Sequence, residues 1–123
     1  MIALASGDKI QGDTTTAEKV DYTIDGVVGT TTRTITQQAN GQLPSSIGDL
    51  YTSPSAQTVV GAITLVNTNT STEAVNLYLL PSGGTARRLI PKNMSLGVNY
   101  MMSYDGKRLI VMDDSGRIRM EAI

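Results

Sequence analysis

Histidine, cysteine, tryptophan and phenylalanine are all missing from this chain. Without the first two there is no serine–histidine–aspartate triad, no thiol nucleophile, no Cys/His zinc site and no disulfide framework. Without the last two, the aromatic complement is five tyrosines, too few for a platform that stacks nucleobases or sugars. A basic excess is missing as well. The chain has 10 Lys/Arg against 11 Asp/Glu, a formal charge of −1, where nucleic-acid binders carry a positive footprint. No apolar run approaches the roughly 18 residues that cross a bilayer. Met1 to Asp8 has neither the basic segment nor the apolar length of a signal peptide, so a chain made in the cytoplasm and not exported is expected. The lack of cysteine fits either redox compartment. No nucleic-acid partner, membrane, metal or cofactor is expected from this composition.

What is present fills one domain. The 123 residues are 40% hydrophobic, and with no Phe or Trp the core must be built from Val, Ile, Leu, Met and Tyr. Such a core is thin for its length, and a domain of that kind gains stability by associating. Charge is unevenly spread, with −3 over residues 1–61 and +2 over residues 62–123. Halves of opposite sign attract, within one chain or between copies, unless the imbalance is ordinary surface scatter.

Threonine crowds the first third of the chain and, being β-branched, favours strands. Lys19 to Asp25 alternates cleanly, with Val20, Tyr22 and Ile24 on one side. It reads as a half-buried strand ended by Asp25-Gly26. A weaker strand is expected over residues 31–36. Gln37 to Gln42 is polar, carries a glycine and has no period, so it reads as a linker or an extended crossing segment. The chain divides there into an extended, Thr-rich N-terminal arm over 1–40, with one or two strands, and a β-sandwich over 41–123.

Thr58 to Val66 is a near-continuous apolar run, expected to be a central strand buried on both faces. Asn67 to Thr72 is a polar turn, and Ala74 to Leu80 places Val75, Leu77 and Leu79 on one face. Pro81-Ser-Gly-Gly84 turns the chain. Short strands follow over 86–90 and 93–96, separated by Pro91. Strands over 98–104, 107–112 and 117–122 make a C-terminal meander. Asp105-Gly106 suits a type I′ turn, and Ile118, Met120 and Ala122 are expected to point inward. No stretch shows a helical period. The expected fold is all-β, an antiparallel β-sandwich of seven or eight strands, jelly-roll or immunoglobulin-like, preceded by the arm.

Few residues propose chemistry. Asp105, Asp113 and Asp114 are hard oxygen ligands, but their spacing is not that of a calcium loop and aspartate is an ordinary turn residue. Ser82-Gly-Gly-Thr85, beside Arg87 and Arg88, is either a backbone nest for an anion or a plain turn. Arg87, Arg88 and Lys92 form the sharpest basic cluster. On adjacent strand positions Arg87 and Arg88 point to opposite faces, so one of them meets the core or an interface and needs a carboxylate partner. Nothing marks a pocket holding paired carboxylates for acid–base work, and no enzyme is expected.

Three consecutive stretches carry a family likeness. These are Gly41-Gln-Leu-Pro-Ser-Ser-Ile-Gly-Asp-Leu-Tyr-Thr52, then Ala62-Ile-Thr-Leu-Val-Asn-Thr-Asn-Thr70, then Val75 through Lys92 with its Leu-Tyr-Leu-Leu-Pro-Ser-Gly-Gly-Thr run. Over residues 41–112 the chain resembles small virion proteins encoded by tailed bacteriophages; residues 1–40 add only a general likeness. The resemblance implies a non-enzymatic β-sandwich that acts in many copies on the particle. Capsid decoration (cement) is the leading role, with the major capsid protein as partner and a homo-oligomer such as a trimer as the working unit. It would be made in the host cytoplasm and placed on the capsid surface. A head–tail adaptor, a tail or fibre component, or a host-glycan-binding module that stacks sugars on Tyr51, Tyr78 or Tyr100 are the alternatives. The expected partner contacts are Val20, Tyr22 and Ile24 on the arm, and Arg87, Arg88 and Lys92.

Overall fold

A computed structural model describes residues 1–29 and 34–122, with Ala122 described by its backbone only. The described residues form twelve strands: β1 Ile2–Leu4, β2 Lys9–Thr14, β3 Val20–Val28, β4 Thr36–Gln42, β5 Gly48–Thr52, β6 Thr58–Asn67, β7 Glu73–Leu80, β8 Arg87–Arg88, β9 Met94–Leu96, β10 Met101–Tyr104, β11 Leu109–Met112 and β12 Ile118–Ala122. They pair antiparallel in two sheets. Sheet A runs β12-β11-β10-β6-β3-β4, with β1 beside β6, and sheet B runs β5-β2-β7-β8, with β9 beside β7. The chain is an all-β, antiparallel sandwich.

Alternation builds it. Val20, Tyr22 and Ile24 of β3 are buried, as are Ile63 and Leu65 of β6, Val75 and Leu77 of β7, and Met102 and Val111 of the meander. Together they make one aliphatic core between the sheets. The tyrosines stitch the two layers where no larger ring is available to fill them. Tyr22 donates its hydroxyl to Leu50 O across the sandwich at 3.3 Å, and burial pushes its pKa up. The Tyr51 and Ser53 hydroxyls both meet Thr58 Oγ1, at 2.8 and 2.9 Å.

Within the first forty residues, the described strands are no detached arm. β2 pairs with both β5 and β7, and β3 with both β4 and β6, so each is interior to its sheet. Their short period and turn-flanked ends are those of ordinary core strands, and the Thr-rich composition only made them look detached. The expected strand over 31–36 lies mostly outside the described residues. Gln37 to Gln42 is not a linker but part of β4, an edge strand on β3. A bulge at Gln38, between the Ile24–Ala39 and Asp25–Gln37 pairs, interrupts that edge.

Gly26 does not end β3 either. The strand continues to Val28 through a bulge in which Asp25 faces Ala62 and Gly26 faces Val60. A Cβ on Gly26 would lie 2.4 Å from Val59 O, backbone that cannot swing away. Gly26→Ala is therefore expected to destabilise the fold by about 2 kcal/mol, in the range of overpacking. Urea unfolding checks it, and a midpoint equal to that of the parent chain would refute the close approach.

At the C-terminus the meander stands, with two changes. The Tyr104–Leu109 pair and the Asp105 N–H to Arg108 O bond of 3.2 Å put Gly106 and Lys107 at the centre of the turn. Gly106 has φ +95 and Lys107 is not in the left-handed region, so the turn places glycine first, as type II′ turns do. A second bulge, opposite Val111 and Met112, leaves Arg119 as the extra residue. It moves Ile118 to the outer face, 55% exposed, instead of inward. Met120 still packs on the core; the side chain of Ala122 lies outside the described residues.

Candidate interaction surfaces

The six expected contact residues separate into two groups. Val20 and Ile24 have no exposed surface and Tyr22 is 9% exposed. These three hold the sandwich together and cannot meet a partner while the chain is folded. Arg87, Arg88 and Lys92 are exposed, at the β8 edge of sheet B and in the segment that follows.

Arg87 and Arg88 do point to opposite sides, but neither has the expected carboxylate partner among the described residues; the three ion pairs there are Lys9–Asp49, Arg108–Glu121 and Arg119–Asp113. Arg88 faces outward. Its guanidinium lies 5.1 Å from the centre of the Tyr78 ring and donates to Asn76 Oδ1 at 2.7 Å. Asn76 Nδ2 donates in turn to Asp13 Oδ1 at 2.8 Å and Asn93 Oδ1 at 3.0 Å, and Tyr78 donates its hydroxyl to Asp13 Oδ2 at 3.1 Å. Burial, then the Asp13 carboxylate, raises the Tyr78 pKa. The network joins β2, β7 and β8 and holds Arg88 in place, which limits what else it can bind. Arg87 stands opposite Leu79 in the register and so lies on the inner side of the edge.

The turn candidates are occupied by their own turns. Asp113 Oδ1 accepts from the N–H groups of Ser115 and Arg117, both at 2.9 Å, and Oδ2 from Arg119 Nε at 2.8 Å. These donors, the Arg117 N–H foremost, hold its carboxyl below the usual range. Asp105 likewise accepts from the N–H groups of Lys107 and Arg108. Around the glycines after β7, Ser82 N–H is bound to Asp8 Oδ1 at 2.9 Å and Gly84 N–H to Pro81 O at 2.9 Å, so two of the N–H groups a nest would use are taken. Among the described residues no three acidic side chains converge to hold a metal ion, and no helix is long and apolar enough to cross a membrane.

Two apolar features are only partly covered among the described residues. The first lies on the outer face of sheet A. β6 was expected to be buried on both faces, yet only its Ile63 and Leu65 side is, while the other side is half-exposed. The register aligns Val66 with Met101, Met101 with Met112, and Met112 with Ile118, an apolar row across four adjacent strands. Ile110 follows in the next row, between Ser103 and Glu121. The row is invisible from sequence because its members come from four separate strands and the β12 bulge sets its last position. The apolar excess of β6 was its one visible trace.

The second is a groove of about 310 Å³ at the side of the sandwich, lined by Leu89, Ile90, Pro91 and Met94 from the segment around β8 and β9 and by Tyr104, Lys107, Leu109 and Met120 from the meander. Sheet A continues through β11 and β12 where sheet B has only the two residues of β8 and three of β9. Tyr104 and Met120 on the inner face of the meander are left half-buried for that reason, while Met102, Leu109 and Val111 are covered.

No family model, curated protein or solved structure matches this chain.

Proposed function

We propose that the chain is a structural protein of a tailed-bacteriophage particle, a capsid decoration protein that binds the outside of the lattice in many copies. The observation that carries this reading is the outward apolar row Val66, Met101, Met112 and Ile118, with Ile110 beside it. Its β6 member belongs to a strand with the composition of a doubly covered one. An outward apolar row that its own fold leaves only half-covered suits a contact with another molecule. The resemblance of residues 41–112 to phage virion proteins supplies the class of partner, the major capsid protein together with further copies of the chain.

The magnitudes favour an array over a free pair. Completing the burial of five half-covered apolar side chains yields about 1 kcal/mol each, roughly 5 kcal/mol in all. That is comparable with the cost of immobilising one molecule, about 4–15 kcal/mol. A single contact is therefore weak, whereas copies engaged at several points on a lattice multiply their affinity through effective concentration. The half-buried state of Tyr51, Tyr78 and Tyr100, each committed to a partner or packed against backbone, speaks against the sugar-stacking alternative.

Copy number per purified particle, measured by quantitative mass spectrometry against the major capsid protein, tests the proposal. A ratio near one, or one trimer per local three-fold position, is the expected result. A few copies per hundred would transfer the chain to the neck, tail or fibre, and absence from the particle would sink the virion reading.

A further inference from the structure

The groove between the sheets has a chemistry of its own. Its floor is apolar, with Leu89, Ile90 and Met94 on one side and Leu109 and Met120 on the other. One lining residue is a cation, and two more cations stand close by in the chain. Lys107 lines it and Lys92 follows directly on Pro91. Arg87 precedes Leu89 by two residues on the same edge and, being opposite Leu79, lies on the same inner side. All three are exposed, and among the described residues none has a carboxylate within ion-pair distance. The nearest acidic groups of the meander are engaged elsewhere, Asp105 by the N–H groups of its own turn and Glu121 by Arg108.

Shape narrows the occupant further. At about 310 Å³ the groove is at the small end of ligand-sized pockets, roughly 300–1,000 Å³, room for anchoring side chains and not for a bulky ligand. It lies where sheet B stops at β8, whose outer edge is paired to no strand among the described residues. An incoming extended segment finds backbone groups there to pair with, and alternate side chains of such a segment fall on one face.

We propose that this groove is a docking site for an extended acidic segment of a partner polypeptide, which sets apolar side chains against Leu89, Met94, Leu109 and Met120 and carboxylates against Arg87, Lys92 and Lys107. The site is independent of the apolar row on sheet A, and it stands or falls without reference to a virion.

Fluorescence anisotropy on the isolated, intact chain tests it, with two labelled peptides of equal length, one alternating leucine with glutamate and one alternating leucine with lysine. The glutamate peptide is expected to bind at least about tenfold more tightly, since like-charge juxtaposition at a contact is strongly disfavoured, and its affinity should fall as salt is raised. Exchanging two exposed rim charges, Arg87→Glu with Lys107→Glu, should reverse the preference without lowering the melting temperature. Met94→Asp should weaken the glutamate peptide by a similar factor. Equal affinities for the two peptides, or no binding of either at millimolar concentration, would overturn the proposal. So would dodecanoate displacing the glutamate peptide with an affinity indifferent to the rim exchange, because the groove would then be a site for an apolar chain alone. The copy number per particle is unaffected by any of these results, so the two proposals fail separately.

Discussion

A chain carrying Met112→Lys and Ile118→Lys is expected to fold as the parent does and to be lost from particles, with occupancy reduced at least about a hundredfold. Both side chains lie on the outer face of sheet A, Ile118 more than half exposed and Met112 half-buried, and they are direct neighbours in the register. Placed there, a lysine in the free chain extends into water at little cost. In a docked chain the same ammonium is taken out of water with no carboxylate opposite, a penalty of several kcal/mol. About 3 kcal/mol for the pair already corresponds to the hundredfold loss. Addition of the purified variant to particles stripped of the protein, followed by sedimentation, measures it. Unaltered occupancy would remove the row from the contact and with it the observation on which the decoration role rests.

The basic cluster supplies the contrast. Arg87→Ala with Arg88→Ala is expected to lower occupancy only a few-fold. Exposed charges at the rim of a contact contribute about 0.2–1 kcal/mol each, and Arg88 is already held by Asn76 and Tyr78. The two results together separate a contact made by apolar area from one made by charge.

How far the sequence could be read depends on whether the signal was local. Strict alternation identified β3 and β7 and their buried faces, and the spacing of turns identified the meander. Each of these is decided by side chains within a few positions. The errors were of another kind. β4 reads in sequence as a linker or an extended crossing segment because an edge strand needs no apolar face. Gly26 was taken for a stop because the reason for a glycine there is the backbone of β6, more than thirty positions away. Val20, Tyr22 and Ile24 were assigned to a partner because a buried strand and a strand awaiting burial have the same pattern; only the presence of β6 and of sheet B tells them apart. The groove was equally hidden. Its rim residues Arg87 and Lys92 were noticed as charges, but Lys107 and the apolar floor join them only through the packing of the meander against the β8–β9 segment.

Glu73 is the last residue the sequence left unmarked, and its removal is expected to be among the most damaging single changes. It opens β7 at 1% exposure and forms no ion pair among the described residues. Oε1 accepts from Thr16 N–H at 2.8 Å and lies 3.1 Å from Thr14 Oγ1, whose one proton is shared with Ala74 O, while Oε2 accepts from Asn69 Nδ2 at 3.2 Å. Asn69 N–H is bound to Asn67 Oδ1 in turn, and Asn67 Nδ2 to Leu96 O and Gly97 O, so the carboxylate ties the β2 end, the turn after β6 and the loop after β9 into one network. Glu73→Ala removes the acceptor of the Thr16 N–H, leaves Thr14 only Ala74 O and Asn69 Nδ2 only Ser71 Oγ, and opens a cavity, a loss of about 3 kcal/mol from a total of roughly 5–15 kcal/mol for a domain.

Acid should act on the same group. Burial alone would raise the Glu73 pKa, but the Thr16 N–H, Asn69 and Thr14 hydrogen bonds outweigh it and hold the value below 4.5. A carboxyl whose folded pKa is depressed contributes stability that is complete above the unfolded value and disappears as pH falls through the folded one. The contribution is therefore constant at neutral pH and is lost below about pH 4.5, at up to about 1.4 kcal/mol per pH unit. Asp49, Asp105 and Asp113 are shifted in the same direction, so the difference between parent and Glu73→Gln is the quantity to follow. Urea unfolding from pH 7 to pH 3 should give a shallower acid limb for Glu73→Gln, together with lower stability at pH 7, where the amide NH2 sets a donor against one of the donors the carboxylate accepts from. Parallel acid limbs would mean that Glu73 titrates alike in the folded and unfolded chains and that the network does not hold it charged.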